Sequence, residues 1–138
     1  MIRVIIADDH PVVIQGIRQI LSATRDIRLA DEAVNGPQLL AKLSGGRFDL
    51  VLLDISMPGE NGLEVLKRLK AQYPNLPVLM LSMHPDEEYA LRTVKAGASG
   101  YLNKASAPDD LISAIRTVLR GGTYLKEGIA EAVAGCSG

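Results

Sequence analysis

The segment VLLDISMPGENG, residues 51–62, decides the fold and singles out one carboxylate. An apolar run, Val51 to Leu53, is followed at once by Asp54 and soon afterwards by the turn-forming pair Pro58-Gly59. A short apolar run that is bounded by turn residues is typical of a strand buried on both faces. We therefore expect a buried strand that presents Asp54 at its carboxyl end.

On both sides of this strand, short apolar runs alternate with segments of helical periodicity. Including the segment that ends at Asp54, five strands are predicted: RVIIA (3–7), IRLAD (27–31), DLVLLD (49–54), PVLMLS (77–82) and GYLN (100–103). A helix is predicted after each strand, for example over Pro11 to Ala23 and over Asp86 to Ala96, which Gly97 closes. Strands separated by single helices run parallel, and right-handed crossovers place helices on both faces of the sheet. The pattern predicts an α/β fold with a single five-stranded parallel sheet.

Composition limits the function classes. A chain of 138 residues with 47% hydrophobic content fits one globular domain with a short appendage. Its 15 basic and 16 acidic residues give a net charge of -1, without the basic surface of a nucleic-acid-binding protein. No apolar stretch is long enough to span a membrane, and MIRVIIADD reaches acidic residues too soon for a signal peptide. The single Cys136 cannot form an internal disulfide. We expect a soluble, cytoplasmic protein with no membrane partner.

Polar side chains follow four of the predicted strands. Strand one ends at Asp8-Asp9, strand three at Asp54, strand four at Ser82 and strand five at Lys104. In an open parallel sheet the ligand crevice lies outside the carboxyl ends of the strands. Three carboxylates that converge there raise one another's pKa values unless a cation stands between them. Oxygen ligands indicate Mg²⁺, and the Lys104 ammonium and Ser82 hydroxyl could bind an anion beside the metal.

Each of these residues also has an ordinary structural interpretation. Asp8 or Asp9 could cap the helix that starts near Pro11, and Asp54 could belong to the turn that follows it. Ser82 could cap a helix, and Lys104 could be a solvated surface lysine. The occurrence of all of them at strand ends of one sheet favours a site.

The two histidines, His10 and His84, lack metal-ligand spacing. We expect them to lie at the surface or to support the site without binding the metal.

Several motifs together resemble a known family. ADDHP (7–11), LLDISMPGENG (52–62), LS at the end of strand four and AGASGYLNK (96–104) are similar to the receiver domain of two-component response regulators. DDHPVV (8–13), GYLNKASAPDDLISAI (100–115) and GGTYL (121–125) are most similar to the NarL/FixJ-type (LuxR-type) branch, whose full-length members carry a DNA-binding helix-turn-helix domain. The resemblance implies a flavodoxin-like sheet with strand order 2-1-3-4-5.

The resemblance also assigns roles at the site. It implies that Asp54 is the phosphoacceptor, that Asp9 binds Mg²⁺ directly and that Asp8 binds it through water. Ser56 occupies the position that lends its backbone carbonyl to the metal. Ser82 and Lys104 would bind the phosphoryl oxygens.

The resemblance also implies a conformational switch, and the sequence departs from the family pattern at one position. Ser82 would move toward the phosphoryl group and leave space for the ring of Tyr101, although Tyr101 could also be a half-buried aromatic of an edge strand. Ala105 stands where many receivers have proline after the lysine, which leaves the local loop geometry open.

The implied function is that of a phosphoacceptor signalling domain rather than an enzyme with a separate substrate. It would take a phosphoryl group from a histidine kinase or phosphotransfer protein, catalyse its own phosphorylation and slow dephosphorylation, and regulate transcription. We expect a receiver domain over 1–122 and the start of an interdomain linker over 123–138, with no DNA-binding domain in this sequence. Phosphorylation is expected to promote a homodimer, and the alternative is a receiver that stays monomeric in both states. By analogy, the kinase would dock on the first helix, at Val13, Ile14 and Ile17, and on residues 105–108.

Two other classes remain as alternatives. A phosphatase of the haloacid-dehalogenase type also uses aspartate, serine and lysine at strand ends, but its nucleophile lies in an Asp-x-Asp motif on strand one. A flavodoxin-like electron carrier needs aromatic side chains around its flavin, and the sequence offers only Phe48 and four tyrosines.

Overall fold

The computed structural model describes residues 1–57, 60–83, 87–104 and 108–125. The main sheet contains β1 (Ile2–Ala7), β2 (Ile27–Ala33), β3 (Leu50–Asp54), β4 (Val78–Ser82) and β5 (Gly100–Asn103). The helices are α1 (Pro11–Ser22), α2 (Gly36–Gly45), α3 (Gly62–Gln72), α4 (Glu87–Lys95) and α5 (Pro108–Leu119). A two-residue antiparallel ladder, which the sequence did not predict, joins Ser56–Met57 to Glu60–Asn61.

The five strands of the main sheet are all parallel. They lie in the order β2-β1-β3-β4-β5, which confirms the predicted flavodoxin-like fold. β3 lies in the centre, where Asp54 is in register with Leu81 of β4. Ser82 at the end of β4 is in turn in register with Asn103 of β5. The carboxyl ends of the strands therefore meet at one edge of the sheet.

The central strand is buried on both faces because helices cover each side. Leu50 and Leu52 pack with α1 and α5, whereas Val51 and Leu53 pack with α2, α3 and α4. Side chains alternate between the two faces of a strand, so a strand covered on both faces reads as a continuous apolar run. This packing explains the run that precedes Asp54.

Local signals in the sequence account for the helix boundaries. Pro11 occupies the first turn of α1, where its missing N–H costs no hydrogen bond. The side chain of Asn35 caps α2 by accepting a hydrogen bond from the Gln38 amide at 2.8 Å. Gly97 follows α4 with a φ of +108°, a conformation that favours glycine and agrees with the predicted helix end. None of the described helices is long and apolar enough to cross a membrane.

Residues after α5 return to the open edge of the sheet beside β5. The Tyr124 amide donates to the Ser99 carbonyl at 3.0 Å, and the Tyr101 amide donates to the Tyr124 carbonyl at 3.1 Å. Tyr124, which was predicted to belong to the linker, thus pairs with the edge of the sheet, and Leu125 packs against the core. The rest of the predicted linker, residues 126–138 with Cys136, lies outside the described residues.

Candidate functional site

The parallel topology brings the predicted polar side chains to one edge. Asp8 and Asp9 directly follow β1, Asp54 ends β3, Ser82 ends β4, and Lys104 directly follows β5. The Lys104 amide donates to the Ser82 carbonyl at 2.8 Å, which fixes the ends of β4 and β5 against each other. These residues therefore share one edge of the sheet, as the sequence predicted.

The ammonium group of Lys104 lies between two buried carboxylates. Its Nζ atom is 2.9 Å from Asp8 Oδ2 and 2.9 Å from Asp54 Oδ2. The exposed fractions of the three side chains are 1% for Lys104, 0% for Asp8 and 2% for Asp54. The alternative of a solvated surface lysine is therefore wrong. Removal of Lys104 would be strongly destabilising because two buried carboxylates would lose their compensating charge, whereas removal of Asp54 would leave Lys104 paired with Asp8.

The carboxyl group of Asp54 is held in an environment that disfavours its charge. Burial raises the pKa of Asp54, and the nearby charge of Asp8 acts in the same direction. Lys104 and the Ser56 amide, which donates to Asp54 Oδ1 at 3.0 Å, lower this pKa without cancelling the rise. A second cation would therefore stabilise the ionised form of Asp54.

The two consecutive aspartates do not cap α1. His10 is the capping residue of this helix, with no hydrogen bond from its side chain to the first turn. Asp8 Oδ1 instead accepts a hydrogen bond from the His10 amide at 2.8 Å. Asp9 is partly exposed, with a side-chain exposure of 28%, and its Oδ1 atom is buried without a hydrogen-bond partner among the described residues. Both carboxylates are thus available at the sheet edge, which excludes the helix-cap alternative.

The acidic cluster fits a divalent cation. Asp8, Asp9, His10 and Asp54 each offer one ligand atom, and these atoms all lie within 4.8 Å of one another. Three carboxylates and the Lys104 ammonium give a formal charge of -2 if His10 is neutral. Asp8 Oδ2 and Asp54 Oδ2 have no well-aligned hydrogen bond within the described part of the chain, although both contact Lys104 as ion pairs. Carboxylate oxygens are the ligands that Mg²⁺ prefers, so the donor set suits the predicted ion.

The sequence predicted that His10 would lie at the surface or support the site, and the structure places its half-exposed side chain beside the aspartates. Its Nδ1 atom lies 2.8 Å from Asp8 Oδ1, 3.2 Å from Asp9 Oδ1 and 3.8 Å from Asp54 Oδ2. His10 was not assigned as a metal ligand because no second histidine stands at metal-ligand spacing. Its place directly after the paired aspartates at a strand end was the signal that could have indicated these contacts.

A glycine allows the start of α3 to approach the Asp54 loop closely. A Cβ atom on Gly62 would lie 2.6 Å from the Asp54 carbonyl oxygen and 2.6 Å from Ile55 Cα. The Gly62 amide also donates to the Ile55 carbonyl at 2.9 Å. Gly62 is the last residue of the motif LLDISMPGENG (52–62), and its lack of a side chain lets the start of α3 lie against the loop after Asp54.

Two further predicted regions, the switch residue Tyr101 and the docking residues of α1, are more buried than the sequence analysis expected. Tyr101 is almost fully buried, at 2% exposure, on the face of the sheet that α2, α3 and α4 cover. Its hydroxyl oxygen has no hydrogen-bond partner in the part of the chain that the structure describes. The predicted docking residues Ile14 and Ile17 are also buried, since the apolar stripe of α1 faces the core, so that part of the prediction is wrong. Val12, at 82% exposure, is the exposed apolar residue of α1 near the site.

Some predicted features cannot be placed. The Pro58-Gly59 turn, His84, and residues 105–107 of the predicted docking loop, with Ala105, lie outside the described residues.

Comparison with known proteins agrees with the family resemblance predicted from the sequence. The response regulator receiver domain family matches residues 4–116 of the chain. The response regulator UvrY of Escherichia coli K12 is 37% identical over 134 residues, which are 97% of this chain and 62% of UvrY. The oxygen regulatory protein NreC of Staphylococcus carnosus is 39% identical over 124 residues, which are 89% of this chain and 57% of NreC. The chain thus spans about six-tenths of the length of these relatives.

Solved structures show the same fold. A LuxR-family two-component response regulator from Aurantimonas sp. SI85-9A1 has a TM-score of 0.88 at 30% identity, covering 96% of this chain and 94% of that one. The isolated receiver domain of RcsB from Salmonella enterica serovar Typhimurium, determined with the phosphomimetic BeF3-, has a TM-score of 0.85 at 28% identity. That match covers 94% of this chain and 96% of the RcsB chain.

Proposed function

Because the chain belongs to the response regulator receiver domain family, we propose that it is a phosphoacceptor signalling domain in which Asp54 receives the phosphoryl group. The observation that carries this proposal is the Lys104 ammonium, 2.9 Å from the carboxylates of both Asp54 and Asp8 in a buried position. A buried carboxylate beside a fixed cation, at the ligand edge of a parallel sheet, is suited to nucleophilic attack on an anionic donor.

The chemistry is the transfer of a phosphoryl group from phosphohistidine or a small phosphodonor. An Asp54 oxygen forms a bond to phosphorus while the bond from phosphorus to the donor atom breaks, and the electron pair leaves with the donor. The protein contributes mainly by positioning the reactants and by neutralising charge. The Ser56 amide orients the Asp54 carboxylate through Oδ1, and Lys104 contacts it through Oδ2.

The groups around Asp54 would neutralise the negative charge of the carboxylate and phosphoryl oxygens. When bound, Mg²⁺ would neutralise carboxylate and phosphoryl oxygens, held by Asp54, by Asp9, by the Ser56 carbonyl and, through water, by Asp8. The Lys104 ammonium can then turn from Asp8 toward a phosphoryl oxygen. The Ser82 hydroxyl, at the end of the adjacent strand, is the predicted donor to a second phosphoryl oxygen.

The proposed output is a change at the face formed by α4, β5 and α5. A phosphoryl group would attract the Ser82 hydroxyl, and the Tyr101 ring on the neighbouring strand would adjust to this movement. Tyr101 is almost fully buried, so the proposed movement of its ring is a small shift within the core rather than entry from solvent. Pairing of Tyr124 with the backbone of β5 would extend this response to the segment after α5.

The proposed partners are inferred from the family and from the net charge of the chain. We propose a histidine kinase or phosphotransfer protein as donor, and a homodimer promoted by phosphorylation. The RcsB structures include two RcsB dimers bound to two parallel DNAs. The net charge of -1 is unlike the basic balance of a DNA-binding domain, so we propose that DNA recognition belongs to a helix-turn-helix domain as in full-length members of the NarL/FixJ-type branch.

The test is intact-mass measurement after incubation with acetyl phosphate and Mg²⁺. The wild-type chain is expected to gain one phosphoryl group, Asp54→Asn to gain none, and chelation to suppress the gain. Asp26→Asn is the matched control, because Asp26 is a carboxylate outside the site, paired with Arg116 at 2.7 Å. Undiminished labelling of Asp54→Asn would contradict the assignment, and release of phosphate over many turnovers would favour the phosphatase alternative.

A further inference from the structure

We propose that His10 is a metal-selectivity residue, whose imidazole adds a nitrogen ligand to the carboxylates of Asp8, Asp9 and Asp54. The cluster would then bind first-row transition-metal ions, represented by Zn²⁺ and Co²⁺, as well as Mg²⁺. This inference rests on the metal site of the proposed function but does not require phosphoryl transfer.

The distances around His10 Nδ1 suit ligands of one small ion. Its separations from the oxygens of Asp8, Asp9 and Asp54 are 2.8, 3.2 and 3.8 Å. Ligands at about 2.0–2.2 Å from a tetrahedral ion are roughly 3.3–3.6 Å apart. The three separations from Nδ1 therefore differ from this range by about half an ångström or less, and the four ligand atoms all lie within 4.8 Å of one another.

The contacts of Nδ1 in this structure conflict with one another. Nδ1 lies 2.8 Å from the Asp8 carboxylate, an acceptor, and 3.2 Å from the Lys104 ammonium, a donor. A ring nitrogen that carries a proton can donate to Asp8 but is opposed by Lys104, whereas one without a proton can accept from Lys104 but is opposed by Asp8. A metal ion satisfies the nitrogen lone pair and the carboxylates at the same time.

The backbone fixes the position from which the imidazole reaches the cluster. The His10 carbonyl accepts hydrogen bonds from the amides of Val13 at 3.1 Å and Ile14 at 3.2 Å, at the start of α1. The His10 amide donates to Asp8 Oδ1, so the residue is tied both to the helix and to a proposed ligand. Its side chain is 50% exposed, which gives an ion a path from solvent.

The ligand preference of each metal ion determines whether the imidazole strengthens its binding. Imidazole suits Zn²⁺ and the other late first-row ions, whereas Mg²⁺ prefers oxygen ligands and retains several waters. Removal of the imidazole should therefore weaken the binding of Zn²⁺ and Co²⁺ and leave Mg²⁺ binding nearly unchanged. This difference separates a ligand from a residue that only supports the fold.

The experiment measures the binding of each metal by calorimetric titration to the wild-type chain and to His10→Ala. The dissociation constants for Zn²⁺ and Co²⁺ should rise about tenfold or more in the variant, and that for Mg²⁺ by less than about twofold. The visible absorption of bound Co²⁺ should also change, because water replaces nitrogen. Gln19→Ala, at an exposed residue of α1 away from the cluster, is the control that should behave like wild type.

Two results would overturn the proposal: equal Zn²⁺ affinity in wild type and His10→Ala, or an equal loss of Zn²⁺ and Mg²⁺ affinity. Neither outcome depends on phosphorylation. Metal discrimination by His10 without labelling of Asp54 would contradict only the proposed function, and labelling without discrimination would contradict only this inference.

Discussion

Substitution of Gly62 by alanine tests whether the start of α3 clamps the Asp54 loop. The added Cβ would meet the Asp54 carbonyl oxygen and Ile55 Cα at 2.6 Å, and the Ile55 carbonyl oxygen at 2.8 Å. Favourable contacts between heavy atoms lie near 3.5–4.0 Å, so the backbone must separate by roughly 1 Å. All three atoms belong to the main chain and cannot move aside by a change of rotamer.

The expected cost is that of overpacking a dense region, about 1–3 kcal/mol. The better helix propensity of alanine offsets only part of this cost, since it is worth about 1 kcal/mol or less. Because the displaced atoms belong to Asp54 and Ile55, phosphorylation by acetyl phosphate should also be slower in Gly62→Ala.

The free energy of unfolding is measured by urea denaturation, with Gly16→Ala as the matched control. Gly16 lies inside α1, is exposed, and has nothing within 4 Å of the position that a Cβ atom would take. The control should be more stable than wild type by about 0.5–1 kcal/mol, whereas Gly62→Ala should be less stable. With urea m-values of about 1–3 kcal/mol/M, opposite shifts of the two midpoints are readily measured. A Gly62→Ala variant as stable as Gly16→Ala would refute the close approach.

Three further substitutions test the electrostatics and the sheet edge. Asp54→Asn should raise the melting temperature near pH 7 with chelator present. The folded-state pKa of Asp54 is raised, so the wild-type chain loses stability as the pH rises through that pKa, whereas the variant does not. The advantage of the variant in melting temperature should therefore shrink in acid. A melting temperature of Asp54→Asn at or below that of wild type near pH 7 would contradict this prediction. For Asp26→Asn we expect the opposite dependence on pH. Arg116 holds the pKa of Asp26 below its usual value, so wild type should lose stability as the pH falls through that pKa and the variant should lose less. Parallel pH profiles of the melting temperature would show that this ion pair contributes nothing. Gly100→Ala should destabilise the fold and release Tyr124, because its Cβ would lie 2.6 Å from the Tyr124 carbonyl oxygen. Unchanged hydrogen exchange at the Tyr101 amide would argue against that release.

The main sheet was predictable because its signals are local and strong. Continuous apolar runs such as Val51 to Leu53 identify strands buried on both faces, and a helix between successive strands determines their parallel direction. The strand order came from the family resemblance, since neither periodicity nor composition determines which strands are neighbours. The Ser56–Met57 and Glu60–Asn61 ladder escaped prediction because two residues are too few to show an alternating pattern.

The site was predictable as a set of residue types at strand ends, but its contacts were not. The position of Lys104 between Asp8 and Asp54 depends on the register of β4 with β5, which the sequence does not specify. His10 was predicted to lie at the surface or to support the site, but its contacts with Asp8 and Lys104 follow from the fold rather than from a spacing between histidines. Ile14 and Ile17 were assigned to a docking surface although the apolar stripe of an amphipathic helix faces the core.

The central claim is that Asp54, and no other carboxylate of the cluster, carries the phosphoryl group. Borohydride reduces an acyl phosphate on aspartate to the alcohol, so reduction after acetyl phosphate treatment, followed by tandem mass spectrometry, marks the modified residue. We predict homoserine at position 54 and unmodified aspartate at positions 8 and 9. Homoserine at Asp8 or Asp9, with Asp54 unchanged, would contradict the claim.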